Sequence, residues 1–244
     1  MLLLAGCAAS PPTTIAVPSQ ETRAAAAGWQ EGRPWIAQHQ DGVAIAARGP
    51  WDLYFLGDSI TQSWGGPGRR VSAPAREVWK EEFGHLRSAS LGISGDRTQH
   101  LLWRIENGAL DGADPQVIVV MIGTNNLPHD NADQIARGIE AVVEAVLRHA
   151  PDAQVLLHPI LPRGGQPDHP MRKKGAAVNR AIVHLEARDR LTIVDLEPHF
   201  TREDRSQVAE LFRGDHLHLA IPGYRMWART LRPHLIDLGL SPAR

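Results

Sequence analysis

A run of six apolar residues at positions 117–122 constrains the fold of this chain more than any other segment. The run is continuous rather than alternating, which is typical of a central strand covered on both faces. Four further segments of strand length alternate with helical patterns, and this alternation indicates βαβ units around a parallel sheet. We therefore predict a three-layer α/β/α fold with strands at residues 51–56, 87–91, 116–122, 154–160 and 191–196.

Helices are predicted between and after these strands. Asn131, followed three residues later by Gln134, has the pattern of a capping box at the start of a helix. The apolar stripe of that helix consists of Ile135, Ile139, Val142, Val143, Val146 and Leu147. Pro222 fits the first position of a last helix, and residues 28–50 fit a short helix that wraps the domain.

Length and charge restrict the classes of function. A chain of 244 residues is an ordinary length for one α/β domain. Lys and Arg number 26 against 27 Asp and Glu, so no bulk charge attracts nucleic acid. The single cysteine excludes a disulfide scaffold, and no apolar run approaches the ~18 residues of a membrane span. These features favour a small-molecule partner, with membrane association only through an anchor or a surface contact.

The N-terminal segment suggests such an anchor. Residues 4–7, which end in Cys7, resemble the lipobox of bacterial lipoproteins, where the signal segment is cleaved before a cysteine that receives lipid. Residues up to about 27 have the composition of a solvated tether. We predict a signal remnant and flexible tether at residues 1–27, one domain at 28–244, and lipidation of Cys7 in a bacterial periplasm or cell envelope. The alternative is a free thiol at the terminus of a cytoplasmic protein.

Four polar turns are expected to meet at one edge of the sheet. In open α/β sheets of flavodoxin-like order, ligands bind beyond the carboxyl ends of the first and third strands. The turn at 57–60 follows the first predicted strand, and the turn at 123–126 follows the third. A glycine-rich turn at 92–96 follows the second strand, and residues 214–218 precede the last helix.

These turns contain the groups that acyl transfer requires. Ser59 is the candidate nucleophile, His218 the candidate base, and Asp215 the group that orients the imidazole. The backbone N–H groups of Ser59 and Gly95 and the amide of Asn125 are candidate donors to an oxyanion. The positive end of the helix after Ser59 would assist the nucleophile. The alternative role of Ser59 is a helix N-cap, which leaves the other three turns unexplained.

The four segments, in this order, resemble the sequence blocks of the SGNH (GDSL) hydrolase family. Within that family the chain is most similar to the platelet-activating factor acetylhydrolase subfamily, over about residues 51–238. The resemblance implies the SGNH hydrolase fold and a serine esterase that removes short acyl groups such as acetyl through an acyl-enzyme. It also implies a triad of Ser59, Asp215 and His218, an oxyanion hole of Ser59, Gly95 and Asn125, and no metal or organic cofactor.

The substrate and some roles stay open at this point. The insert at 65–70 and the lipobox depart from that subfamily, so the substrate is either a lipid ester or an acetylated sugar. Trp64 is a candidate for the pocket wall, and Arg163 either contacts an anionic substrate group or pairs with an acid. His216 and His218 have the spacing of metal ligands, but no further motif completes a site. An acyltransferase, an inactive binding module and a homodimer are also compatible with the sequence.

Overall fold

The computed structural model describes residues 12–20 and 33–240. Its centre is a five-stranded sheet with the order β2-β1-β3-β4-β5, and all four neighbouring pairs are parallel. The strands are β1 (Trp51–Gly57), β2 (Ser88–Ser90), β3 (Pro115–Met121), β4 (Gln154–His158) and β5 (Leu191–Ile193). The predicted strands and the flavodoxin-like order are therefore confirmed, with bounds that shift by at most a few residues.

Helices cover both faces of this sheet. In chain order they are α1 (Trp35–Ala46), α2 (Ser59–Gln62), α3 (Arg76–Phe83), α4 (Thr98–Arg104), α5 (Ala132–His149), α6 (Pro170–Ile182), α7 (Glu197–Phe200) and α8 (Ile221–Asp237). One core joins Tyr54 of β1 to side chains of α1, α4, α5 and α6. The other core joins Phe55 to α3, α7 and α8. Successive residues of β1 thus face opposite layers, as expected of a strand buried on both sides.

The predicted capping box opens α5. The side chain of Asn131 accepts a hydrogen bond from the Gln134 N–H at 2.9 Å, and the Gln134 side chain accepts one from the Asn131 N–H at 2.9 Å. These contacts satisfy two backbone donors at the helix start. The last predicted helix is also confirmed, because Pro222 lies in the first turn of α8.

Residues 12–20 pack on the domain, whereas we predicted a solvated tether throughout residues 1–27. Thr13 is 3% exposed, and its hydroxyl donates to the Gln134 carbonyl at 2.5 Å. The Thr98 hydroxyl donates to the Thr13 carbonyl at 3.2 Å. The composition of the segment gave no sign of this contact, because polar groups at the starts of α4 and α5 provide the partners.

The rest of the predicted tether lies outside the described residues, and so does Cys7. Its lipidation stays a prediction. In the described part of the chain, none of the helices has both the length and the apolar character needed to cross a membrane.

Candidate active site

The sheet brings two of the predicted polar turns to the same edge. Gly57, at the end of β1, is paired with Met121, at the end of β3. The chain then continues to Ser59 on one side and to Asn125 on the other. The carboxyl ends of the two central strands therefore lie side by side, as the strand order predicted.

Ser59 is the first residue of α2, a helix of only four residues. Asp58 caps this helix, because its Oδ1 accepts a hydrogen bond from the Ile60 N–H at 2.9 Å. Asp58 thus has a structural role at this turn. The Tyr224 hydroxyl donates to the Ile60 carbonyl at 2.8 Å and ties the turn to α8. A helix of a single turn has a small dipole. Individual backbone N–H groups near Ser59 therefore contribute more to the electrostatics of the site than the positive end of this helix, which we predicted to assist the nucleophile.

Asp58 is fully buried, and this burial raises the pKa of its carboxyl to about 7. The hydrogen bond from the Ile60 N–H acts in the opposite direction, and the nearby charge of Asp96 raises the pKa further. Water cannot stabilise the ionised carboxylate at this position, so the neutral acid is favoured. The carboxyl group next to Ser59 is therefore mostly protonated below about pH 7 and mostly ionised above it.

Ser59, His218 and Asp215 form a continuous hydrogen-bonded chain. Ser59 Oγ lies 2.9 Å from His218 Nε2, and His218 Nδ1 lies 2.6 Å from Asp215 Oδ2. Asp215 Oδ1 accepts hydrogen bonds from the N–H groups of Leu217 at 3.0 Å and His218 at 2.9 Å. Although partial burial acts to raise the pKa of Asp215, these hydrogen bonds lower it overall. An ionised Asp215 accepts a hydrogen bond from Nδ1–H, which keeps the imidazole proton on Nδ1 and leaves Nε2 able to accept the Ser59 hydroxyl proton.

The predicted oxyanion donors lie on connected turns. Gly95 has a φ of +79°, a left-handed conformation that glycine adopts without strain. The Asn125 amide donates to the Asp96 carbonyl at 3.0 Å, and its second N–H has no acceptor in the described part of the chain. Among residues 12–20 and 33–240, the backbone N–H groups of Ser59 and Gly95 have no hydrogen-bond partner. Both donors are thus available to a ligand.

Comparison with known proteins identifies the family. The model of the GDSL-like lipase/acylhydrolase family matches residues 55–226. The chain belongs to this family. It is 35% identical over 209 residues to human (Homo sapiens) platelet-activating factor acetylhydrolase IB subunit alpha1, with 85% of each chain covered. It is also 35% identical over 207 residues to the alpha2 subunit of Mus musculus, with 84% of each chain covered. This acylhydrolase is therefore a carboxylic ester hydrolase.

Solved structures agree with the fold of this acylhydrolase. A GDSL-like lipase from Bacteroides thetaiotaomicron has a TM-score of 0.65 at 17% identity and covers 83% of this chain and 97% of its own. A variant of an acetylxylan esterase from Geobacillus stearothermophilus has a TM-score of 0.60 at 20% identity and covers 80% of this chain and 97% of its own. At these identities the likeness concerns the α/β architecture alone.

Trp64 does not line the site of the acylhydrolase, and the prediction that it forms a pocket wall is wrong. Its side chain is fully buried, with its ring centroid 4.7 Å from that of Tyr224 and 5.3 Å from that of Trp227. Phe55 of β1 packs on the same ring. Trp64 follows the short helix α2, and its ring packs in the core between the sheet and helices α3 and α8. Burial of a large aromatic ring is more favourable there than exposure.

Arg163 lies beside the site. Its guanidinium donates to the Thr124 carbonyl at 2.8 Å. Partial burial lowers the pKa of Arg163, while the carboxylates of Asp58 and Asp215 act to raise it. Among the described residues, however, the guanidinium makes no ion pair with an acid, so both its pairing with an acid and its contact with a substrate stay predictions.

The insert at 65–70 passes beside β2, because Gly66 lies against the backbone of Ser90. Gly66 and Arg69 line a cavity of about 570 Å³ together with Trp51 and Arg87. Trp51 is the first residue of β1, so the cavity extends toward the amino ends of the strands. The insert therefore shapes the edge of the sheet beside β2.

His216 makes a protein contact of its own. Its Nδ1 lies 3.0 Å from Gln207 Oε1, and Gln207 Nε2 donates to the His216 carbonyl at 3.1 Å. Gln207 thereby holds the turn that carries Asp215, a role that no sequence pattern indicated. Within the described residues, no group of three or more His, Cys, Asp or Glu side chains has an arrangement that could hold a metal ion.

Proposed function

We propose that this acylhydrolase is a serine esterase that removes short acyl groups, acetyl foremost, from a small ester through an acyl-serine intermediate. The observation that carries the proposal is the hydrogen-bonded chain from Ser59 Oγ through His218 to Asp215, with distances of 2.9 and 2.6 Å. A nucleophile, a base and a carboxylate in this order are the components of nucleophilic acyl transfer.

In the first half of the reaction, Ser59 Oγ attacks the ester carbonyl and His218 Nε2 takes the hydroxyl proton. Asp215 stabilises the imidazolium that forms. The N–H groups of Ser59 and Gly95 and the Asn125 amide donate hydrogen bonds to the oxygen that becomes negative. The carbon–oxygen bond to the leaving group then breaks, and His218 transfers its proton to the departing alcohol.

In the second half, water takes the place of the alcohol. His218 Nε2 removes a proton from water, and the resulting hydroxide attacks the carbonyl of the acyl-serine. The same donors stabilise the second tetrahedral intermediate. Its collapse releases the carboxylic acid and returns the proton to Ser59 Oγ. No oxidant, reductant or further reactant is needed.

An acetyl ester is the proposed substrate class because the relatives' names include acetylhydrolase and acetylxylan esterase. A panel of p-nitrophenyl acetate, butyrate and octanoate tests the acyl preference. We expect kcat/KM to be highest for acetate. Direct competition between an acetylated xylo-oligosaccharide and an acetylated phospholipid then separates a sugar ester from a lipid ester.

The chemical proposal is tested with Ser59→Ala. We expect at least a ~10³-fold loss of p-nitrophenyl acetate hydrolysis, because the nucleophile is removed. Ser206→Ala is the matched control, since Ser206 lies on an exposed turn and donates only to Asp204 among the described side chains. A fluorophosphonate should add covalently to Ser59 in the native protein and in the control. Unchanged turnover of Ser59→Ala would refute the proposal.

We also propose that Cys7 carries a lipid that anchors the enzyme in a bacterial envelope. The support is the lipobox-like sequence at residues 4–7. Expression in a bacterial host with a complete export signal, followed by mass spectrometry of the N-terminal peptide, tests this proposal. Cys7→Ser should move the protein from the membrane fraction to the soluble fraction, and an unmodified Cys7 would contradict the anchor.

A further inference from the structure

The carboxylate that follows Gly95 is held from two directions. The Asp96 side chain is fully buried. The Trp35 indole N–H donates to Asp96 Oδ1 at 2.7 Å, and Arg104 Nε lies 2.9 Å from Asp96 Oδ2. Buried carboxylates are costly unless charged or polar partners surround them, so both contacts fix the position of this group.

Asp96 connects these contacts to the proposed oxyanion donors. Its carbonyl accepts the Asn125 amide at 3.0 Å, and Gly95 is its direct neighbour in the chain. Arg104 also donates to the carbonyls of Leu91 and Gly57. The guanidinium of Arg104 therefore joins the turn after β2 to the carboxyl end of β1, two residues before Ser59.

The indole of Trp35 reaches this turn from α1. The family model begins at residue 55, so Trp35 belongs to a helix that precedes the matched region. Its ring is 2% exposed and packs near Trp103, with ring centroids 5.4 Å apart. Packing thus holds the indole in place, and its N–H has a fixed direction toward Asp96.

We propose that Trp35 is a positioning residue for the oxyanion turn. Its N–H fixes the Asp96 carboxylate and, through Asp96, the Gly95 N–H and the Asn125 amide. This inference rests on the proposed function. Oxyanion donors must lie 2.7–3.1 Å from the negative oxygen, so a small displacement of the turn weakens them. The donors act on charge that develops in the transition state, so their displacement lowers kcat more than it alters KM.

The test replaces Trp35 by phenylalanine, which keeps an aromatic ring and removes the N–H. Trp103→Phe is the matched control, because Trp103 lies in the same ring cluster and its indole makes no hydrogen bond within the part of the chain that the structure describes. We expect Trp35→Phe to lower kcat on p-nitrophenyl acetate about tenfold, with KM within about twofold. Trp103→Phe should keep kcat within about twofold of the native enzyme.

Counting active sites separates positioning from stability. A fluorophosphonate titration gives the number of reactive serines, and kcat is expressed per titrated site. A role limited to packing would lower the melting temperature of both variants and leave kcat per site unchanged, which would overturn the inference. If Trp35→Phe does not fold, benzothienylalanine at position 35 keeps the ring shape and lacks only the N–H. A native enzyme that neither hydrolyses esters nor reacts would instead refute the proposed function.

Discussion

Replacing Asp215 by asparagine measures how much its carboxylate contributes to the rate of ester hydrolysis. The amide oxygen can keep the hydrogen bonds that Asp215 Oδ1 accepts from the N–H groups of Leu217 and His218. The amide nitrogen would then face His218 Nδ1, where the carboxylate oxygen lies at 2.6 Å. Because this nitrogen only donates, it favours the tautomer whose proton is on Nε2, and that tautomer cannot accept the Ser59 proton.

Two effects set the size of the loss of kcat/KM expected for Asp215→Asn. Opposite charges about 4 Å apart interact with about 4 kcal/mol at an effective dielectric constant of ~20. The Asp215 side chain is 47% exposed, so solvent screening reduces this to about 2 kcal/mol. Forcing the imidazole into its other tautomer breaks a hydrogen bond and adds on the order of 2 kcal/mol. A total of about 4 kcal/mol corresponds to a ~10³-fold lower kcat/KM.

The assay is p-nitrophenyl acetate hydrolysis with purified Asp215→Asn, together with thermal unfolding. Asp204→Asn removes the same charge from an exposed turn, where Asp204 Oδ1 accepts hydrogen bonds from Ser206, and should stay within about twofold of the native rate. The melting temperature of Asp215→Asn should remain within a few degrees, because this exposed carboxylate has little packing to lose. If Asp215→Asn is folded and retains more than a tenth of the native kcat/KM, the assignment of Asp215 is refuted.

Three further predictions concern stability and are measured by urea unfolding. Burial raises the pKa of Asp58 to about 7, so the contribution of Asp58 to native stability should decline as pH rises from about 4 to 8, by up to on the order of 4 kcal/mol. Buried His39 and His158, whose pKa values burial lowers to about 4, act in the opposite direction, so the measured quantity is the difference in free energy of unfolding between the native protein and Asp58→Asn. This difference should change with pH by that amount, and a constant difference would contradict the prediction. Trp64→Ala should cost about 3–5 kcal/mol, because it removes a fully buried ring; a raised KM without lost stability would point back to a pocket wall. Asn131→Ala should cost about 1 kcal/mol through the lost cap, and an unchanged midpoint would exclude that contribution.

The sheet and the central side chains of the site were predictable because their signals are local. The apolar run at 117–122 and the strand-length segments around it indicated the strands of a parallel sheet. The strand order was taken from the flavodoxin-like pattern of such sheets, and it is the order observed. Polar turns at the carboxyl ends of strands then meet by geometry. Asp215 and His218 are three residues apart, so one turn brings the carboxylate to the imidazole.

Contacts between distant segments were not predictable in the same way. A tryptophan after a one-turn helix can point toward solvent or toward the core, and the rings that surround Trp64 come from β1, α3 and α8. The Trp35–Asp96 hydrogen bond joins residues that are 61 positions apart. Neither the hydrophobic period nor the composition encodes such a pair, because both describe neighbours along the chain.

The attachment of Thr13 to α4 and α5 shortens the reach of any lipid anchor. Six residue steps separate Cys7 from Thr13, and a fully extended stretch of this length spans about 20 Å. A lipid at Cys7 would therefore hold the esterase close to the bilayer, because the tether between the lipid and the domain is short. Esters presented near the membrane surface would meet the enzyme far more often than those deep in the surrounding compartment.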